Sequence, residues 1–386
     1  NDRFHATNNN TDLRTEIVPK GLATGYENAV DDYDALTDGT TDTTTELQSA
    51  ITAAEAAGGT IYLNPGIYKT TGIAISGNAK IVGSNDGSTV IYSTTNAPIV
   101  EFTAGSFKMP VLENVTIRGS VSAGSSQIGL KIDDGTYGLR CRVSDVVIEN
   151  CGGNGLYVGN AFSSYFEKIY IDNCAGYPFL YNAPAMPNNV FESCYVGLLR
   201  DSAPTAYRIK AGDCILRNCN GVNSLNPNSR WAVVGKKNGV DGDSTDTGAN
   251  LSLENCNLES WIRGGILAYH ASVINLRGFT TFAGQSVTTT LNGGINNSVT
   301  SIALTSASNF PDAGTILIDS ERITYTGKST NTLTGCTRGA ESTSAASHLT
   351  GATVTLLKKP VEFDLVNDGV DYYAQQIQRG VIEESV

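Results

Sequence analysis

A five-residue word recurs along the chain, as VIENC (Val147 to Cys151), YIDNC (Tyr170 to Cys174), VFESC (Val190 to Cys194), ILRNC (Ile215 to Cys219) and SLENC (Ser252 to Cys256). The gaps between successive cysteines are 23, 20, 25 and 37 residues, so the unit is fixed and the spacer elastic. In and beside the copies apolar residues alternate, as in Val146 and Ile148, Ile169 and Ile171, Cys214 and Leu216, Leu251 and Leu253. That is the period of a strand with one buried face. One such strand every 20 to 25 residues, with variable loops between, predicts an all-β parallel solenoid in which each coil stacks on the last. Equivalent residues then lie about 4.8 Å apart.

Stacking gives the letters of the word distinct tasks. Asn150, Asn173, Asn218 and Asn255 are expected to form an amide ladder at a corner, with the cysteines behind them as small core fillers. A metal or redox role for the cysteines would need CxxC or Cys/His spacing, which the chain lacks. LENVTIRG (Leu112 to Gly119) and IAISGNAKIVGS (Ile73 to Ser84) fit earlier coils, and VINLRG (Val273 to Gly278) a later one. At the open end, DGTTDTTTELQSAITAAEAAGGTIYLNPGIY (Asp38 to Tyr68) supplies a capping helix over about 43–57. Thr43 and Glu46 have capping-box spacing, Leu47, Ile51 and Ala54 form an apolar stripe, and Gly58-Gly59 ends the helix.

That entry, with its Asp-Gly-x-x-Asp start, short helix and GGTIYLNPGIY, resembles the first coil of the pectate-lyase-like superfamily, especially phage tailspikes. The resemblance implies a right-handed parallel β-helix. Residues 297–356, with short strands and turns at Pro311-Asp312, Asp319-Ser320 and Gly327, are similar to a small β module that recurs in phage tail and virion proteins. The expected organisation is a leader or attachment arm over 1–30, the β-helix over 31–286, the small module over 287–358, and a strand with an amphipathic helix over 359–386.

Composition narrows the partners. A formal charge of −12 without a Lys/Arg run gives no footprint for nucleic acid. No apolar run reaches the roughly 18 residues that a membrane helix requires.

Aligning the coils on the word places Arg118, Glu149, Asp172, Glu192, Arg217, Glu254 and Arg277 in one outward file. Carboxylates about 5 Å apart match a retaining glycosidase, so Glu149, Asp172 and Glu192 are catalytic candidates, with hydrolase chemistry ahead of lyase chemistry. The competing reading is a surface charge ladder neutralised by the arginines. Glycan binding needs aromatic and polar surface, and the candidates are Tyr170, Tyr195, Tyr207 and Arg217, with Arg230 and Trp231 at the start of the long excursion over 223–250. Asp241, Asp243 and Asp246 are close enough in sequence to share a calcium ion, although a solvated acidic turn has the same pattern and no cofactor is otherwise required.

YRIK (Tyr207 to Lys210) is similar to a polygalacturonase motif, but the histidine motif that should precede it is missing, leaving strand patterning as its explanation. The resemblance implies a virion-tail adsorption protein, assembled in the host cytoplasm as a homotrimer with other phage tail proteins, that binds host cell-surface polysaccharide and could depolymerise it. The alternatives are a free carbohydrate-active enzyme of the same superfamily and a non-catalytic structural virion or filament subunit.

Overall fold

The computed structural model describes residues 26–364, apart from 85, 104–107, 134, 136–138, 184–187, 199, 201–204, 224–225, 236–248, 260, 270–271, 279 and 283–285. Strands between Tyr26 and Asp364 form one continuous system in which every ladder outside the small module is parallel. Each coil has three faces. In one coil they are residues 142–144, 146–149 and 156–158, stacked on 165–167, 169–172 and 179–181 of the next. They are called the first, second and third face below. Crossovers between parallel strands of one sheet are right-handed for steric reasons, so the coil is a right-handed β-helix.

The corner between the first and second faces explains the polar letters of the repeat. Asn114, Asp145, Lys168, Ser193, Asn218 and Asn255 all take left-handed φ, between 49° and 58°. A single left-handed residue bends the strand, and Asn and Asp tolerate this region better than most side chains. Asn150 and Asn173, at φ 60° and 51°, form a second corner after the second face.

The repeated word therefore occupies two registers. Phe191 and Glu192 pair with Phe166 and Glu167, which places Ser193 at the corner of Lys168 and moves VFESC one corner back from YIDNC. The predicted amide ladder is correspondingly short. Asn173 donates to Asn150 Oδ1 at 2.6 Å, whereas Asn218 belongs to the other corner and donates to Glu192 Oε1 at 2.5 Å. The cysteines divide likewise, with Cys151 and Cys174 in one stack and Cys194, Cys219 and Cys256 in another. All eight thiols in the chain are free and buried. Burial pushes the Cys141 thiol up to about 12 and raises that of Cys214, so the core cysteines are packing groups.

Inward residues stack in files. Leu112, Val143, Phe166, Phe191, Leu216 and Leu253 line the first face, and Leu130, Leu156, Phe179, Tyr207 and Ala232 the third. Phe166 and Phe191 stack at 4.3 Å, with Phe179 edge-on to Phe191 at 4.8 Å. The end of the core is closed by the helix Thr44–Ala57, which buries Leu47, Ala50, Ile51 and Ala54. Gly58 at φ 61° ends it, but the capping box does not form. Thr43 Oγ1 accepts from the Leu36 amide instead, and Asp42 receives the Thr44 amide.

The small module has its own core of Leu291, Ile302, Phe310, Ile316, Ile323, Leu333 and Val354 between two antiparallel sheets. Asp319, at φ 52°, turns the hairpin Gly314–Ile318/Glu321–Tyr325, whereas Gly327 opens a strand instead of making a turn. The strand expected after the module is the next rung of the solenoid: Lys359–Asp364 pairs in parallel with Gly264–Tyr269 on the third face. The module is thus inserted within a coil, and the solenoid does not end at residue 286. Asn228, in an earlier loop, holds it by donating to Asp312 Oδ2 at 3.0 Å and accepting the Asp312 amide at 2.9 Å.

Candidate functional site

The second face carries a stacked tyrosine pair beside acidic side chains. Tyr170 and Tyr195 are direct neighbours in register, and their rings stack at 5.2 Å with an interplanar angle of 4°. Tyr170 is 40% exposed because alternation along Tyr165–Asp172 turns Ile169 and Ile171 inward and Tyr170 outward. The file continues to Val147 on one side and Asn220 on the other. Each ring thus has one face against the other tyrosine and the other toward its neighbour in the file.

Asp172, two residues on and also outward, lies next to Glu149 in register. Between Asp172 and the tyrosines the next coil has Gly197. A Cβ there would fall 2.7 Å from Asp172 Oδ1 and 2.9 Å from the Tyr170 hydroxyl oxygen. The two oxygens converge over the bare backbone of Gly197 and occupy the space that a side chain there would need. Partial burial, followed by the negative charge of Asp172, holds the Tyr170 hydroxyl above its usual range, so it remains a donor at neutral pH. Glu149 accepts from Arg118 Nε at 2.6 Å. Arg200 donates to Asn173 Oδ1 at 2.8 Å at the adjoining corner.

The other candidates separate from this group. Glu192 lies on the first face, beside Glu167 and Arg217 and around the Ser193 corner from Asp172. The expected single file of Arg118, Glu149, Asp172, Glu192 and Arg217 is therefore two files on two faces. Arg217 is in the second of these and donates to Glu254 at 2.5 Å.

Tyr207 and Trp231 are 0% exposed and face inward, their rings 4.4 Å apart. The Tyr207 hydroxyl donates to the Asn220 carbonyl at 2.7 Å. Neither residue offers surface to a glycan, and Arg230, 5% exposed, offers almost none. Tyr207 and Trp231 are core because the third-face ladder holds their strands with both side chains turned inward. Asp241, Asp243 and Asp246 lie outside the described residues. Among the described residues no group of three His, Cys, Asp or Glu side chains is placed to hold a metal ion, and no helix is long and apolar enough to cross a membrane.

Sequence reasoning missed Gly197, whose role is visible only once Asp172 and Tyr170 are seen on either side of it. His348 is structural, its ring bridging Asp319 and Glu321 at 2.7 Å to each inside the small module.

Known proteins resemble this chain in sequence over its first coils and in fold. Residues 28–109 match the family described as rhamnogalacturonase A/epimerase, pectate lyase-like. Mannuronan C5-epimerase AlgE1 of Azotobacter vinelandii is 45% identical over 71 residues, a match covering 16% of this chain and 5% of that protein. The matched part is therefore a small fraction of that relative's length. Among solved structures, the A-module of the A. vinelandii mannuronan C-5 epimerase AlgE4 aligns with a TM-score of 0.50 at 18% identity, over 67% of this chain and 78% of the module. The ORF18 protein of Geobacillus virus E2 aligns with a TM-score of 0.43 at 18% identity, over 87% of this chain and 77% of that one. The gp42 tailspike of Acinetobacter phage vb_AbaP_AS12 gives 0.46 at 12% identity, over 70% and 49%. The chain has the pectate-lyase-like parallel β-helix fold, and its residues 28–109 carry the sequence pattern of the rhamnogalacturonase A/epimerase group.

Proposed function

We propose that this protein binds host cell-surface polysaccharide as part of a phage adsorption appendage, and that the glycan lies across the second face at Tyr170, Tyr195, Asp172 and Gly197. The observation that carries the reading is the Tyr170–Tyr195 stack, with Tyr170 exposed, beside the point where Asp172 Oδ1 and the Tyr170 hydroxyl converge over Gly197. Flat aromatic faces pack on the C–H faces of sugars, while the Asp172 carboxylate and Tyr170 hydroxyl supply an acceptor and a donor for ring hydroxyls. A rigid solenoid suits a long polymer because successive coils offer a surface that need not be ordered on binding. The viral setting rests on the similarity of the 297–356 module to modules of phage tail proteins. Trimeric assembly in the virion tail belongs to the same proposal.

A second reading, a carbohydrate-active enzyme, is favoured by the convergence of Asp172 Oδ1 and the Tyr170 hydroxyl over Gly197. A carboxylate and a protonated phenol at one point can take a proton from, and give one to, the same sugar carbon or oxygen. In that reading Arg118 holds Glu149 aside, and Asp172 is the base.

Incubating the protein with host polysaccharide, while following binding, chain length, new reducing ends and ultraviolet absorbance, tests both readings. Binding that weakens at least tenfold in Tyr170→Ala, without chain shortening, supports the adhesin. Shortening, or an altered sugar configuration, that stops in Asp172→Asn supports the enzyme. Binding unaffected by Tyr170→Ala and by a side chain at 197 would remove the second face from consideration.

A further inference from the structure

The first face has a feature that the second-face site does not use. In the coils nearest the module, the outward file runs Arg217, Glu254, Arg277 in direct register. One carboxylate is flanked by two guanidinium groups. Glu254 takes Arg217, Nε to Oε2 at 2.5 Å, while the Arg277 guanidinium makes no ion pair or hydrogen bond among the described residues. Beside Arg277 lies a hollow of about 170 Å³ lined by Ser252, Leu253, Glu254, Asn275 and Arg277. Asn275 Nδ2 reaches Ser252 Oγ at only 3.4 Å, so both polar groups retain hydrogen-bonding capacity.

We propose that this hollow is a subsite for an anionic group on a bound glycan, with Arg277 as its recognition residue. The inference rests on the reading that the chain binds polysaccharide and adds a class of sugar to it. Guanidinium is planar and always charged, and it presents paired donors that match a carboxylate or phosphate. In a chain of net charge −12, an uncommitted guanidinium in a polar hollow cannot draw polyanions by bulk field. It acts locally, once the polymer is already held. Glu254 would repel such a group, but Arg217 neutralises it and positions it toward the preceding coil. Arg217, expected from sequence to touch glycan, is here a positioning residue. Ser252 and Asn275 supply the neutral donors that complete an oxyanion's shell.

The test compares binding of the full chain to three probes, a uronate oligosaccharide, a phosphate-substituted oligosaccharide and a neutral oligosaccharide of equal length, at low and high salt. The wild type is expected to prefer a charged probe over the neutral one, and Arg277→Gln to lose about ten- to a hundredfold on that probe with little change on the neutral one. Arg277→Lys should recover the charge preference only in part if a carboxylate is the partner, and more fully for phosphate, which accepts a point charge. Glu254→Gln, which frees Arg217, should tighten charged probes. Equal affinity of wild type for all three probes, or an Arg277→Gln protein that keeps the charge preference, overturns the subsite. Tyr170→Ala separates the two ideas, since it should weaken all three probes alike. If it does so while no probe depends on Arg277, the polysaccharide reading stands and the subsite fails.

Discussion

Glu192 stands in register with Glu167 on the first face, not with Asp172 on the second. The left-handed residue Ser193 turns the chain from Glu192 onto the second face, where Tyr195 stacks on the coil of Asp172. Two carboxylates that share a letter in the repeat are thus separated by a corner, and a two-carboxylate mechanism through Asp172 and Glu192 has no geometric basis.

The first prediction is that Glu192→Gln leaves polysaccharide binding and any turnover within about twofold of wild type, because an exposed charge in a surface ladder contributes little. Tyr170→Phe, which removes only the hydroxyl, should weaken glycan binding by about tenfold, the scale of one hydrogen bond to a charged or well-placed group. Titration of one purified oligosaccharide against the three proteins reads both effects.

A Cβ at position 197 tests the convergence of Asp172 and Tyr170. Gly197→Ala places a methyl group 2.7 Å from Asp172 Oδ1 and 2.9 Å from the Tyr170 hydroxyl oxygen, closer than van der Waals contact, so these two flexible side-chain ends must swing away. Strand backbone tolerates alanine, so urea midpoints should shift little while glycan affinity falls as steeply as in Tyr170→Ala. Unchanged affinity with unchanged stability would show that the placement of these two groups does not matter to the glycan.

Trp231→Ala should behave as a core deletion. The side chain is fully buried against Tyr207, and its indole N–H has no acceptor among the described residues. Loss of so large a buried group costs about 3–5 kcal/mol, read as a drop in the urea midpoint. Binding by the remaining folded fraction should be unchanged, which separates packing from recognition.

The coil itself was legible in the sequence because alternation and the five-residue word are local consequences of strand and corner geometry. Val146, Ile148, Ile169 and Ile171 face inward as their spacing requires. The register was not legible. YFEKIYIDNC contains two possible corners five residues apart, at Lys168 and Asn173, and both are used. Matching on Asn-Cys alone chooses between them only by letter, whereas the structure chooses by the fit of Phe191 on Phe166. The site suffered the same ambiguity. Tyr170 and Tyr195 lie side by side on the second face, whereas Tyr207 packs in the core, because tyrosine serves both environments and only the face decides. The inserted module hid the final rung, since Lys359–Asp364 finds its partner Gly264–Tyr269 across the whole insertion.

Lys168 offers a stabilising change. It occupies the left-handed corner at φ 51°, where Asn218 and Asn255 stand in later coils. A non-glycine side chain there costs roughly 1 kcal/mol, and the exposed Lys168 pairs with Asp145 at 3.6 Å and Glu167 at 4.0 Å return little of it. Lys168→Gly or Lys168→Asn should therefore raise the unfolding midpoint. A fall would show that the lysine stem packs over the corner.

The last prediction concerns acid. Glu321, 1% exposed, anchors the small module. Its Oε1 accepts from Arg338 Nε at 2.8 Å and the Gly339 amide, and its Oε2 from Arg338 Nη2 and His348 Nε2, each at 2.7 Å, and from the Ala346 amide. Burial alone would raise its pKa, but these donors outweigh it and hold the carboxyl at about 2. The unfolded value is near 4.3, so the folded state binds the proton later than the unfolded state. The resulting stability, on the order of 3 kcal/mol, is present above about pH 4.3 and is lost as pH falls toward 2. Hydrogen exchange at the Gly314–Ile318 and Glu321–Tyr325 amides should accelerate across that window, after correction for intrinsic exchange, while amides of the central coils change less. In Glu321→Gln the module should exchange faster at neutral pH, since one partner of a buried charge pair is gone, and its stability should no longer depend on pH between about 4.3 and 2 through this group. A wild-type module whose protection is flat over the window would show that another group controls its acid response.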